Sequence, residues 1–429
     1  MRSKAQRSRS GGFSAETVLP LATALLVGAV PFVVDPRLPA PLLGSERFLE
    51  CGAFTLLAVS GFAGFAVPAT RRAGAPSLAA AGLAAALLIS AATASSPAYA
   101  LASSLLSLAG LALFLVLRSG PVPILGVLGG VLSLQAALLS GLALTQWLGI
   151  DLLPLAPDPL LKSRAVATLG NPNFLGSVLG PALFVCLARA RATTGRARAL
   201  ALAAFGLSGL ALLATRARAA ILGALVAFLL VAALEAVLEA RRDARKRWVL
   251  AAACGTLLAS LAVALVMNFR PAWILDVNVA NRLAAYHAAT PERPLWNLTG
   301  EGRGGFASRF WDTAHADALA AGRLRFASAL VGATDAAGQT LDPGSVHDDY
   351  LELWYEGGTA ALALHLFLLL LAFGSGVRRA LAGDRCASLL IGGLVVSALD
   401  AAFGFPLALP ASLALFWVLV AALLRENEP

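Results

Sequence analysis

Three polar segments of this chain carry residue types that could do chemistry. The one nearest the C-terminus reads SVHDDYLELWYEGG, Ser345 to Gly358. A histidine at a membrane surface, such as His347, can act as a base near neutral pH. Asp348 follows it directly and could orient the imidazole or join it at a metal. Glu356 lies four residues after Glu352, on the same face of any helix that starts here. The plainer reading of His347 alone is a solvated loop histidine.

The second segment reads LLATRARAAILGAL, Leu212 to Leu225. Arg216 and Arg218 stand just before an apolar run. A helix N-terminus is already partly positive, so cations are disfavoured there. An anion between them reverses that, and arginine at a helix N-terminus suits a phosphate or pyrophosphate. Arginines that merely snorkel to a membrane interface are the alternative. The third segment reads RAVATLGNPNFLGSVLGP, Arg164 to Pro181. Gly170, Asn171 and Pro172 make a turn, with Asn173 as the expected N-cap of the next helix. Two further stretches are ANRLAAYHAA, with Arg282, and LTGEGRGGF, a glycine-rich turn that could cradle a phosphate. His287 and His315 show no partner pattern. His365 falls inside an apolar run and is expected to face a bundle interior. Asn297-Leu298-Thr299 matches a glycosylation sequon, a match common by chance.

The elements that must hold these residues follow from composition. The chain has 429 residues, 59% hydrophobic and 13% charged, with mean hydropathy +0.78. Soluble chains carry about 25% charge. The expected fold is an all-α polytopic membrane protein of about twelve transmembrane helices. The expected spans are 17–34, 49–67, 76–93, 99–117, 122–148, 173–188, 199–214, 219–238, 249–268, 350–374, 387–403 and 407–424. Residues 1–16 form a basic N-terminus, 17–268 the first nine helices, 269–349 one large external loop, 350–424 the last three helices, and 425–429 a tail. The first apolar run has no clear signal-cleavage site, so it reads as a span.

Charge sorting orients these spans. Twenty of the 33 Lys and Arg fall in the N-terminus, the even-numbered breaks and Arg425; six fall in the short odd-numbered breaks. This bias places both termini in the cytoplasm and the long loop outside. It also accounts for the net charge of +9 without nucleic acid. Cys51, Cys186, Cys254 and Cys386 have no paired spacing and read as apolar packing residues. No metal and no cofactor are expected.

Together the segments resemble the O-antigen ligase and polymerase family of bacterial inner-membrane glycosyltransferases. GNPNFLG after Arg164 is similar to the family's stretch before its sixth span. TRARAA resembles its Thr-x-Ser-Arg-Gly-Ala, with Arg218 at the family's arginine. Arg282 matches a second arginine past the ninth span, and GEGRGGF a Gly-rich turn. HDDYLELWYEGG resembles His-Asn-x-Tyr-Leu followed by Glu-x-Gly. Asp348 departs from the family's usual Asn, and Ala217 and Ala219 replace its Ser and Gly.

The resemblance implies transfer of a glycan from undecaprenyl pyrophosphate to a sugar hydroxyl, on lipid A core or on another glycan, at the periplasmic face. His347 would be the base. Arg218 and Arg282, with Arg216 and Arg164, would bind the pyrophosphate, and Asp348, Glu356 and Asn173 would support them. A ligase and a polymerase are both compatible. A transporter or flippase usually places its charges and broken helices near the midplane, and a scaffold leaves the outer arginines unexplained.

Overall fold

A computed structural model describes residues 15–34, 43–62, 74–119, 124–150, 152, 165–242, 296–306 and 346–425. Among these residues every regular element is helical. That is the solution forced on an apolar chain in lipid, where each backbone N–H and C=O must be satisfied within its own segment. In chain order the helices are α1 (Ala15–Ala29), α2 (Leu43–Phe62), α3 (Ala75–Thr93), α4 (Pro97–Ser119), α5 (Gly129–Trp147), α6 (Pro172–Ala192), α7 (Gly195–Thr215), α8 (Arg218–Arg242), α9 (Asp349–Leu381), α10 (Arg385–Ala401) and α11 (Pro410–Leu424). Short turns, Val30–Phe32 and Ile124–Leu128, flank α1 and α5, and Pro406–Ala408 precedes α11.

Seven of the described helices, α3 to α9, are long and apolar enough to cross a membrane. Eleven of the twelve expected spans coincide with a described helix; the one at 249–268 lies outside the described residues. Several boundaries differ by six or seven residues, among them the end of α9 at Leu381 and the start of α2. The second span is expected from residue 49, but α2 begins at Leu43. Its first turns are charged, which hides them from a hydropathy reading. Arg47 pairs with the buried Glu50 at 2.6 Å, so those charges lie along the helix instead of ending it.

α11 is the centre of the bundle. Every residue from Pro410 to Leu424 is buried, as expected of a helix apolar on all sides. α2, α4, α6, α9 and α10 pack around it. α3, α7 and α8 lie further out, with most of each span's surface left open. Small residues set the closest approaches, because lipid supplies no hydrophobic drive between helices and packing must. A Cβ on Gly176 of α6 would stand 2.5 Å from the Cβ of Ala217, at the start of α8. A Cβ on Gly392 of α10 would meet the Phe184 ring at 2.4 Å.

The polar residues divide between the two ends of the bundle. One end holds the α6–α7 and α9–α10 reversals. There Arg191 pairs with Glu235, Arg385 with Glu239 at 2.8 Å, and Arg379 with Asp384 at 2.7 Å. The other end holds the α7–α8 reversal, the start of α6 and the start of α9, and so collects the segments singled out for chemistry.

Overpacking a close helix contact costs about 1–3 kcal/mol. Gly176→Leu is therefore expected to lower the thermal unfolding midpoint of the purified, detergent-solubilised chain. The mid-helix control Gly206→Leu, whose added Cβ meets nothing within 4 Å, should not.

Candidate active site

The start of α9 is built from its own sequence. Asp348 is the N-cap: its Oδ1 accepts from the backbone N–H groups of Tyr350 and Leu351, both at 3.0 Å. Asp and Asn cap about equally well, so either residue would hold this helix start. Burial pushes the Asp348 carboxyl above its ordinary value, against the lowering by its two backbone bonds, and the Glu352 charge adds to the rise. His347 immediately precedes the cap with φ +61°. Its ring lies 5.0 Å from that of Phe405. Asp349 is buried, and its Oδ2 accepts from Leu407 N–H at 2.9 Å. Tyr350 donates its hydroxyl to Ala398 O at 2.9 Å, fixing α9 against α10.

α9 is broken at Gly358, which has φ +81° and ψ 174°. The glycine-rich segment 296–306 docks into this break. Thr359 N–H donates to Asn297 O at 2.8 Å, Glu301 N–H to Tyr355 O at 3.1 Å, and Gly302 N–H to Glu356 O at 2.8 Å. Ser90 of α3 donates to the same Glu356 carbonyl. A Cβ on Gly358 would stand 2.3 Å from Leu298 O, and one on Gly300, itself at φ +67°, would stand 2.4 Å from Glu356 O. Only glycine at both positions allows this approach. In this turn Glu301, Gly302, Gly305 and Phe306 direct their N–H groups at protein acceptors.

Arg303 closes the junction. Its side chain is 14% exposed, and its guanidinium lies 3.2 Å from Glu356 Oε2 and 3.6 Å from Glu352 Oε1. Burial opposes its charge, but the Glu356, Glu352 and Asp349 carboxylates outweigh that and hold its pKa above the ordinary arginine value. Glu356 Oε1 also accepts from Phe306 N–H at 3.2 Å, and Glu352 Oε2 from Val346 N–H at 3.0 Å. Phe306 packs edge-on to Tyr355, 5.6 Å between centroids. Below this cluster lies a cavity of about 40 Å³, lined in part by Ser107, Arg303, Asp349, His365 and Trp417. His365 faces the interior as expected and is 4% exposed. Its Nε2 and the Nε1 of Trp417 have no hydrogen-bond partner among the described residues. Such a space suits water molecules.

The other two segments meet this one through aromatic and small residues. Phe405 touches Phe174 of α6, 5.4 Å between centroids, on one side and His347 on the other. Gly176, two residues after Phe174, abuts Ala217 between Arg216 and Arg218. Arg216 ends α7 with φ +56°, and Arg218 opens α8; both are exposed. Upstream of α6, Ala167 has φ +48° and is held by Gln146, whose Oε1 accepts from the N–H groups of Val166 at 3.1 Å and Ala167 at 2.7 Å. Ala167, Arg216 and His347 are the non-glycine residues with left-handed φ among the described residues. Each costs of order 1–3 kcal/mol and survives only where its surroundings enforce it. One falls in each of the three segments.

No protein-family model matches the chain, and no curated protein matches it. The functional reading therefore rests on the residues and their arrangement.

One expectation changes. Asn173 is not the N-cap of α6. Asn171 is: it is extended at φ −140°, and its Oδ1 accepts from Asn173 N–H at 2.8 Å. Pro172 then takes the first helical position, where its missing N–H costs nothing and its φ is preset. Arg164 and Arg282 lie outside the described residues. Arg303, Glu352 and Phe405 were not singled out from the sequence. A charged residue inside the glycine-rich turn and two glutamates four apart were visible, but nothing in their spacing brings them together.

Asp348→Asn keeps both capping bonds and has no charge to bury, so it should unfold at or above the wild-type midpoint. Asp348→Ala loses the cap, at a cost of about 1 kcal/mol. Thermal unfolding of the two variants in one detergent checks the order.

Proposed function

We propose that this chain is an O-antigen ligase-like glycosyltransferase of the bacterial inner membrane. It moves a glycan from undecaprenyl pyrophosphate to a sugar hydroxyl, on lipid A core, at the periplasmic side, with both termini cytoplasmic. The observation that carries this reading is the gathering of three strained segments at one end of the bundle, linked through Ala217, Gly176, Phe174 and Phe405 to His347.

In this mechanism His347 takes the proton from the acceptor hydroxyl as its oxygen attacks the anomeric carbon. The bond to the carrier pyrophosphate breaks, and negative charge grows on the departing oxygen. Arg218 and Arg216, set at a helix N-terminus, stabilise that charge. Arg282 and Arg164 join them on the strength of the resemblance. Attack opposite the leaving group inverts the anomeric centre. The carrier's apolar tail stays among the helices, so the reacting carbon reaches the protein at the membrane surface, where α9 begins. His347, Arg216 and Arg218 stand at helix ends on one side of the bundle, which favours this reading over transport.

The test is a surface-polysaccharide gel from a deletion strain complemented with wild type, His347→Ala or Arg218→Ala. Deletion should leave polymer on the lipid carrier and none on lipid A core. Core carrying single repeats instead identifies a polymerase of the same type. An unchanged glycan pattern overturns the reading. With purified protein, His347→Ala and Arg218→Ala should each lose about 100-fold or more in kcat, and full activity of His347→Ala removes it as the base.

A further inference from the structure

The buried ion cluster at the head of α9 does more than fasten one segment to a helix. Its two glutamates face different parts of the chain. Glu356 takes Arg303 and the Phe306 N–H, both on segment 296–306. Glu352 takes Arg303 with one oxygen and Val346 N–H with the other. Val346 is fully buried and immediately precedes His347. Glu352 N–H in turn donates to Asp348 O at 2.9 Å, so residues 346 and 348 are both tied to the same glutamate. His347 is the residue between them, and it is the one with left-handed φ.

We propose that Arg303 is a positioning residue for His347, acting through Glu352. The guanidinium stands 3.6 Å from Glu352 Oε1 and anchors the side chain whose other oxygen accepts from Val346 N–H. Anchored on that side by the guanidinium, Glu352 keeps its second oxygen on Val346 N–H at 3.0 Å. That grip, with the Asp348 bond, imposes the strained backbone that presents the imidazole. The distance from Arg303 to His347 is thus bridged by one side chain and one peptide unit. The importance of His347 rests on the transferase reading; the mechanical link does not.

The link is tested without activity. Full-length protein in nanodiscs is treated with diethyl pyrocarbonate, and modification of His347 is followed by mass spectrometry. The buried His365 serves as the internal report of an intact fold. Glu352→Ala should modify His347 about threefold faster or more while His365 stays protected, because the backbone restraint is gone. Glu356→Gln, which leaves the Val346 bond in place, should change His347 less. An unchanged His347 rate in Glu352→Ala, with His365 protected, overturns the proposal. If that variant exposes His365, Arg303→Lys decides. It keeps the charge but loses the forked guanidinium; a faster His347 supports the link, and an unchanged one overturns it. In the transfer assay Glu352→Ala should lower kcat about tenfold or more with the donor KM little changed. A wild type with no transfer activity refutes the transferase reading and leaves the labelling result standing.

Discussion

The pairing of Arg303 with Glu352 and Glu356 is the constraint on which the head of α9 depends. Three carboxylates, counting Asp349, and one guanidinium are buried together. A buried polar group left without its partner is expensive, so each member of the cluster depends on the others. The cluster therefore tolerates few other arrangements of the backbone that carries it. That backbone includes the break at Gly358, the docked glycine turn and the residues flanking His347.

The break in α9 and the docking of segment 296–306 are two sides of one event. At a helix interruption, carbonyls lose their usual partners. Here the carbonyls of Tyr355 and Glu356 receive N–H groups from Glu301 and Gly302, and the Glu356 carbonyl also receives the Ser90 hydroxyl. The segment gains regular partners without belonging to a helix. α3 enters the same junction through Ser90, which accepts from Gly302 N–H at 3.1 Å. An irregular stretch beside a membrane helix is acceptable on these terms, since its polar groups are met by protein.

Strain elsewhere at this end follows the same logic. Ala167 is held by Gln146, Arg216 by the tight reversal between α7 and α8, and His347 by its two neighbours' bonds to Glu352. Each strained residue is fixed by packed helices whose positions are set around the fully buried α11. The rigid bundle thus supplies the force that keeps the polar segments in unfavoured conformations.

The sequence by itself determined the helical class, the places of most spans and the segments worth attention. Those rest on local properties: apolar runs of bilayer length, charge sorted between breaks, and glycine, proline and arginine at run ends. The cap of α6 was legible as a turn but misplaced by two residues, because Asn171 and Asn173 are equally good caps and only Pro172 between them separates the choices. Tertiary structure decided the rest. Arg303 and Glu356 are 53 positions apart in the chain, and no periodicity relates them. Phe405 lies in a short break with no sign of its two aromatic partners. A side chain's type and neighbours are written locally, but the meeting of two buried charges across a long connection is fixed only when the helices that carry them have packed.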